Sequence, residues 1–154
     1  MIVQRDTLRS GDTSRVLFIC VRNSARSQMA EAFFKKKCGT EFQAESAGLE
    51  SGLLNLLAIA TMKELGIDIS GNSTKSVSDV YKSGRLFSYV IAVCDEASAE
   101  ACPIFPGPVT RLNWNIPDPA ALTGTWEEQL EAVRPIRQMI SDRVDAFCTQ
   151  SCHA

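Results

Sequence analysis

The chain predicts an α/β fold, a single domain built on a four-stranded parallel sheet flanked by helices, and three observations carry that reading. Short apolar runs rich in strand formers alternate with helix-like stretches along most of the sequence. Two of the runs, "RVLFIC" and "LFSYVIAVC", are apolar almost throughout, as strands covered on both faces are. No repeat, low-complexity segment or linker interrupts the 154 residues, a length that suits one domain with a real core.

The elements follow in order. Residues 1–13 are polar and charged and read as a flexible N-terminal extension, which leaves the domain at 14–150. "RVLFIC" (15–20) is the first strand. "SQMAEAFFKKKC" (27–38) is a helix, with serine at its start and lysines at its end to suit the dipole. "EFQAESAG" alternates as a second strand ending at Gly48. "LNLLAIATMKELG" (54–66) is an amphipathic helix stopped by Gly66. A short helix is expected around "SVSDVYKSG". "LFSYVIAVC" (86–94) is the third strand and "VTRLNWNI" (109–116) the fourth. A long helix covers 126–148, which Pro135 is expected to bend or split.

Composition excludes several classes. The chain is 45% hydrophobic and 22% charged with a net charge of -2, and no Lys/Arg cluster suggests a nucleic-acid or membrane surface. The N-terminus lacks the apolar core of a signal peptide, and no run is long enough to span a bilayer, so a cytoplasmic location is expected. In such a compartment the six cysteines do not suggest a disulfide scaffold. They are expected to be core residues, catalytic groups, redox partners or metal ligands.

The stretch "LFICVRNSARSQMAE" carries chemistry. A thiol at the carboxyl end of a parallel strand, followed by a loop and a helix N-terminus, lies where open α/β sheets bind ligands. The loop Val21, Arg22, Asn23, Ser24, Ala25 can turn its N–H groups inward as an anion nest, helped by the helix dipole. Arg26 adds a planar, permanently charged fork suited to a tetrahedral oxyanion. That field is expected to favour the Cys20 thiolate. Ser24 or Ser27 can hydrogen-bond the sulfur. Asn23 is the residue best suited to a positive φ, because the loop has no glycine.

"FICVRNSARSQMAEAFF" followed by "ESAGLE" resembles the low-molecular-weight tyrosine phosphatase family, and "RSQMAE" is similar to its thioredoxin-coupled arsenate reductases. The resemblance spans about residues 15–148. It implies that Asp118, in "IPDPA", is the general acid, although Pro-Asp-Pro by itself is an ordinary turn or cap. It also implies a relay. Cys20 attacks arsenate, Cys94 attacks the adduct and releases arsenite, and Cys102 attacks Cys94 to leave a disulfide for thioredoxin. No cofactor is then bound, and the Cys94/Cys102 pair favours thioredoxin as the electron source, with glutaredoxin and mycothiol as open alternatives. Phosphate or sulfate would serve as arsenate analogues.

The residues add their own argument. If the first and third strands are parallel, Cys20 and Cys94 emerge on one edge of the sheet, where a plain phosphatase needs no second thiol. "DEASAEA" looks helical, which would hold Cys94 and Cys102 about 12 Å apart. A disulfide needs less than about 7 Å, so this segment is expected to unwind on oxidation. Cys38 is expected to be structural. Cys148, Cys152 and His153 read as a chance clustering in the tail rather than a metal site.

Departures from the family sharpen the reading. Ala120 follows Pro119 where the phosphatases carry a tyrosine, which favours a small inorganic anion over phosphotyrosine. Arg22 stands where glycine is common, as extra rim charge or as a solvated bystander. Some reductases of the family bind potassium beneath the loop. Asn23, Glu31 and Ser46 match three ligand positions, but Lys75 lies near the fourth, so its ammonium is expected to replace the ion and no metal is expected. The competing readings are a low-molecular-weight phosphatase, which needs only Cys20, Arg26 and Asp118, and a non-catalytic thiol redox switch.

Overall fold

The computed structural model describes residues 14–38, 42–94 and 102–151. The N-terminal extension, the helix expected between Cys94 and Cys102, and the Cys152/His153 pair lie outside them. The described elements are β1 (Ser14–Cys20), α1 (Arg26–Cys38), β2 (Phe42–Gly48), α2 (Leu56–Lys63), α3 (Val77–Lys82), β3 (Tyr89–Ala92), β4 (Thr110–Asn113), a short 3-10 turn (Pro119–Ala121) and α4 (Trp126–Ser151).

The sheet is parallel throughout, in the order β2-β1-β3-β4. β1 is central, and Val16, Leu17, Phe18 and Ile19 have no solvent exposure, as its unbroken apolar sequence requires. β4, "TRLN", is short and polar at the sheet edge, which discourages pairing with another chain. β3 is shorter than its apolar run suggests. It ends at Ala92, although the Val93 N–H still donates to the Ile19 carbonyl at 2.8 Å.

α1 packs on the sheet through Met29, Ala30, Phe33 and Phe34, all buried. The Phe34 ring meets Phe18, Phe42 and Phe147 edgewise or tilted, with centroids 5.6, 5.8 and 5.7 Å away. α4 buries Val133, Ile136, Ile140, Val144 and Phe147, a stripe at helical spacing. Pro135 does not split it: the helix runs continuously to Ser151. Pro135 and Glu131 are both exposed, so the carbonyl that loses its proline-blocked partner can be hydrated.

The cysteines are expected to form no disulfide scaffold, and Cys148 to belong to a chance cluster in the tail; one bridge is nevertheless present. Cys38, the last residue of α1, is joined to Cys148 on α4, with Cα atoms 5.9 Å apart. The two helices bring together residues 110 apart in sequence, a proximity that spacing alone does not reveal. Cys148 therefore belongs to a helix–helix contact, not to a tail cluster.

α2 and α4 are tied by charge. Arg134 and Arg137 both reach the Glu64 carboxylate, with closest contacts of 2.7 and 2.8 Å. These two guanidinium hydrogen bonds hold its pKa down to about 2, against an ordinary 4.5. A carboxylate with a lowered folded-state pKa contributes stability above its unfolded pKa and loses it as pH falls through the folded one. Melting temperature should therefore fall between pH 4.5 and 2 by more in the wild type than in Glu64→Gln; parallel curves would show that the pair is worth nothing in solution.

Candidate active site

Cys20 ends β1 directly beside Gly48 of β2, and α1 begins at Arg26. The chain between them is a loop whose peptides are held in one orientation. The carbonyls of Cys20, Val21 and Arg22 accept from the N–H groups of Leu49, Glu50 and Gly52 at 3.0, 3.0 and 3.1 Å. The Asn23 carbonyl accepts from Gln28 Nε2 at 3.1 Å, Ser24 from Asn55 N–H at 2.9 Å, and Ala25 from Met29 N–H at 2.9 Å. In a planar trans peptide the N–H points away from the C=O. With every loop carbonyl drawn outward, the N–H groups are left facing the centre, a geometry that can bind an anion. The Asn23 N–H donates to Cys20 Sγ at 3.2 Å.

Asn23 takes the expected left-handed backbone, at φ 56. Its side chain is fully buried and fully used. Nδ2 donates to Ser27 Oγ at 2.8 Å and to Ser46 Oγ at 2.9 Å, and Oδ1 accepts from the Lys75 N–H at 3.0 Å. Ser27, not Ser24, reaches the sulfur, with Oγ 2.9 Å from Cys20 Sγ. Asn23 and Ser27 thus lie behind the loop and hold it.

The residues facing the cavity are Cys20, Val21, Arg22, Ser24, Ala25, Arg26, Leu53, Asn55, Asp118 and Ala120, around a volume of about 460 Å³. Arg26 is buried, and its NH1 donates to the Ile116 carbonyl at 3.0 Å while NH2 lies 3.6 Å from Asp118 Oδ2. Asp118 is half exposed, and its two carboxylate oxygens have different partners. Oδ1 caps the 3-10 turn through the Ala120 N–H at 2.9 Å, and Oδ2 faces the guanidinium. Arg22 is a rim residue, two-thirds exposed and 4.0 Å from Glu50, too far for a firm pair.

Cys20, Cys94 and Cys102 are thiols, all buried. Burial pushes the Cys102 thiol above its ordinary 9.0, with the Arg111 charge pulling weakly the other way. Lys75 lines the polar pocket under the loop together with Gln28, Glu31 and Ser46. It pairs with Glu45 at 3.2 Å, while Glu31 is taken by Ser46 Oγ and by the Lys35 ammonium at 2.6 Å. No grouping of three or more His, Cys, Asp or Glu side chains suited to a metal occurs among the described residues. No helix among them is long and apolar enough to cross a membrane.

Sequence reasoning missed Gly48, Asn55, Leu53 and Gln28 as parts of this site. A Cβ on Gly48 would lie 2.5 Å from the Arg22 carbonyl carbon and 2.5 Å from the Asn23 nitrogen. The only signal was a glycine closing a strand. Asn55 caps α2 while its N–H anchors the Ser24 carbonyl, so a helix cap doubles as a loop anchor.

The low molecular weight phosphotyrosine protein phosphatase family matches residues 15–151. An arsenate reductase of Bacillus subtilis is 39% identical over 133 residues, covering 86% of this chain and 93% of its own. Arsenate reductase 2 of Staphylococcus epidermidis is 36% identical over 140 residues, covering 90% and 99%. A solved arsenate reductase in the phosphate binding state superposes with a TM-score of 0.69 at 31% identity, covering 89% of this chain and 98% of that one. The chain belongs to the low-molecular-weight phosphotyrosine protein phosphatase family, in the branch that holds these arsenate reductases.

If Gly48 is what lets the loop lie flat on β2, Gly48→Ala should lower turnover by roughly 100-fold, the cost of an ångström-scale misplacement. Gly71→Ala, whose Cβ would meet nothing within 4 Å, should leave turnover unchanged. Equal activities in the two variants would remove Gly48 from the site.

Proposed function

We propose that this chain is an arsenate reductase in which Cys20 is the nucleophile and Cys94 and Cys102 carry electrons outward. The observation that carries the reading is a thiol at the floor of a loop that can cradle an oxyanion, with a second buried thiol two residues past the neighbouring strand's end and a third close after it in sequence. The relatives that are arsenate reductases point the same way.

The steps balance. The Cys20 thiolate attacks arsenate, and an oxygen leaves as water after Asp118 supplies the proton. Arg26 and the inward N–H groups of Val21, Arg22, Ser24 and Ala25 hold the remaining oxygens. Cys94 attacks Cys20 Sγ, an electron pair passes to arsenic, and arsenite leaves a Cys20–Cys94 disulfide. Cys102 attacks Cys94 and frees Cys20. A thioredoxin dithiol then reduces Cys94–Cys102 and is itself oxidised.

Register supports the first exchange. Ile19 pairs with Ala92, so one further step sets Cys20 beside Val93, one residue short of Cys94. With strands about 4.8 Å apart and residues about 3.3 Å along, the Cα atoms fall about 6 Å apart, inside disulfide reach. Strict alternation would send the two sulfurs to opposite faces, but β3 has ended at Ala92 and no longer imposes it. Burial raises the Cys102 thiol pKa, which fits an attack made once the thiol is less buried. Electrons from a soluble dithiol and a cytoplasmic setting go with this chemistry; no bound cofactor or metal, potassium included, is required.

The phosphatase reading shares the cradle, and the cavity could admit a small aryl ester past Ala120. Arsenate-dependent NADPH oxidation with thioredoxin and thioredoxin reductase tests the proposal. Turnover should be present in the wild type, absent in Cys94→Ser, and aryl phosphate hydrolysis should survive in that variant. Arg26→Lys should lower both activities by at least about 100-fold, the loss typical of an oxyanion donor. Aryl phosphate hydrolysis without arsenate turnover under any reductant would return the site to the phosphatases.

A further inference from the structure

The Cys38–Cys148 pair lies outside everything the proposed chemistry uses. Cys38 ends the helix whose first residue is Arg26, so along α1 the pair stands about 18 Å from the cradle, far beyond the reach of thiol exchange. Its surroundings are a built helix–helix contact. Phe34 packs on Phe147 at 5.7 Å, and Lys37 Nζ donates to Ser141 Oγ at 2.9 Å and to Asp145 at 2.5 Å. The two sulfurs differ in access, since Cys38 is 5% exposed whereas Cys148 is only partly covered.

We propose that Cys38–Cys148 is a second redox site, insulated from the catalytic thiols, at which a disulfide-class oxidant clamps the helix behind the cradle to the last helix. Exchange starts at the more accessible sulfur. The Cys148 thiolate attacks one sulfur of an external disulfide and releases one thiol. Cys38 then attacks Cys148 and releases the second. Two S–S bonds break, the external one and the transient mixed one, and the same number form. The two electrons and both protons end on the released thiols. The cross-link closes a loop of 110 residues and restricts the unfolded chain, so oxidation raises stability without touching the reacting groups. In a reducing compartment the clamp is open, and it closes when the disulfide pool rises.

The test takes reduced wild-type protein, equilibrates it with oxidised or reduced glutathione, and follows both non-reducing peptide maps and thermal melting. Oxidation should yield a peptide joining Cys38 to Cys148 and raise the melting temperature by about 5–15 °C. Cys148→Ser, which keeps every catalytic thiol, should lose that peptide and show no such rise. Its initial arsenate turnover should stay within about twofold of wild type, as for independent sites. Coincident melts of oxidised and reduced wild type would overturn the proposal, even if the variant failed to fold. So would a cross-link joining Cys38 or Cys148 to Cys20, Cys94 or Cys102. The melting comparison needs no arsenate chemistry, so its failure is separable from failure of the reductase reading.

Discussion

The site depends on one constraint: the peptides from Cys20 to Ala25 must all turn their carbonyls away from the centre. Each outward carbonyl has its own donor, and most of these donors lie in the segment after β2. A single residue reverses the chain's course within so short a loop. Asn23 does this in the left-handed region, at a cost that its fully bonded, fully buried side chain offsets. Glycine would take the same backbone more cheaply, but it could not tie Ser27, Ser46 and Lys75 to the loop. The choice of asparagine therefore couples loop shape to the β2 strand and to the segment before α3.

Much of this was legible beforehand because it is local. Strand, thiol, loop, arginine and helix N-terminus occur within "LFICVRNSARSQMAE", and local order is what a sequence displays directly. The left-handed Asn23 followed from the absence of glycine in its loop, and the parallel sheet from alternation of runs. What escaped is long-range. Gly48 matters because two backbones touch, and Cys38 matters because α1 and α4 pack. Pro135 looked disruptive since its exposed placement, where water can serve the orphaned carbonyl, depends on which face α4 buries. The Glu45 partner of the Lys75 ammonium was hidden for the same reason, since it comes from the strand face next to it.

Charge is distributed by depth. Arg26 sits where water is scarce, fixed by the Ile116 carbonyl and facing Asp118. Glu45 shows the balance at half depth: burial pushes its carboxyl up, and the Arg85 and Lys75 contacts outweigh that and leave it lowered. Glu64, at the surface between α2 and α4, is held by two guanidinium groups and has little desolvation to overcome. Ion pairs at these three depths are thus asked for different things, from positioning inside to modest cross-bracing outside.

Arg26 NH1 donates to the Ile116 carbonyl, and the same guanidinium faces Asp118 two residues on. A long flexible cation is normally frozen only when its ligand arrives, and the ligand's affinity is reduced by that freezing. Here the rotamer is already chosen by a backbone oxygen, so an incoming oxyanion meets a fork that needs no search. The same tether makes the acid's loop follow the arginine. In the proposed chemistry, capture of the anion and delivery of the proton would share one rigid frame, and a disturbance of either end would be felt at both.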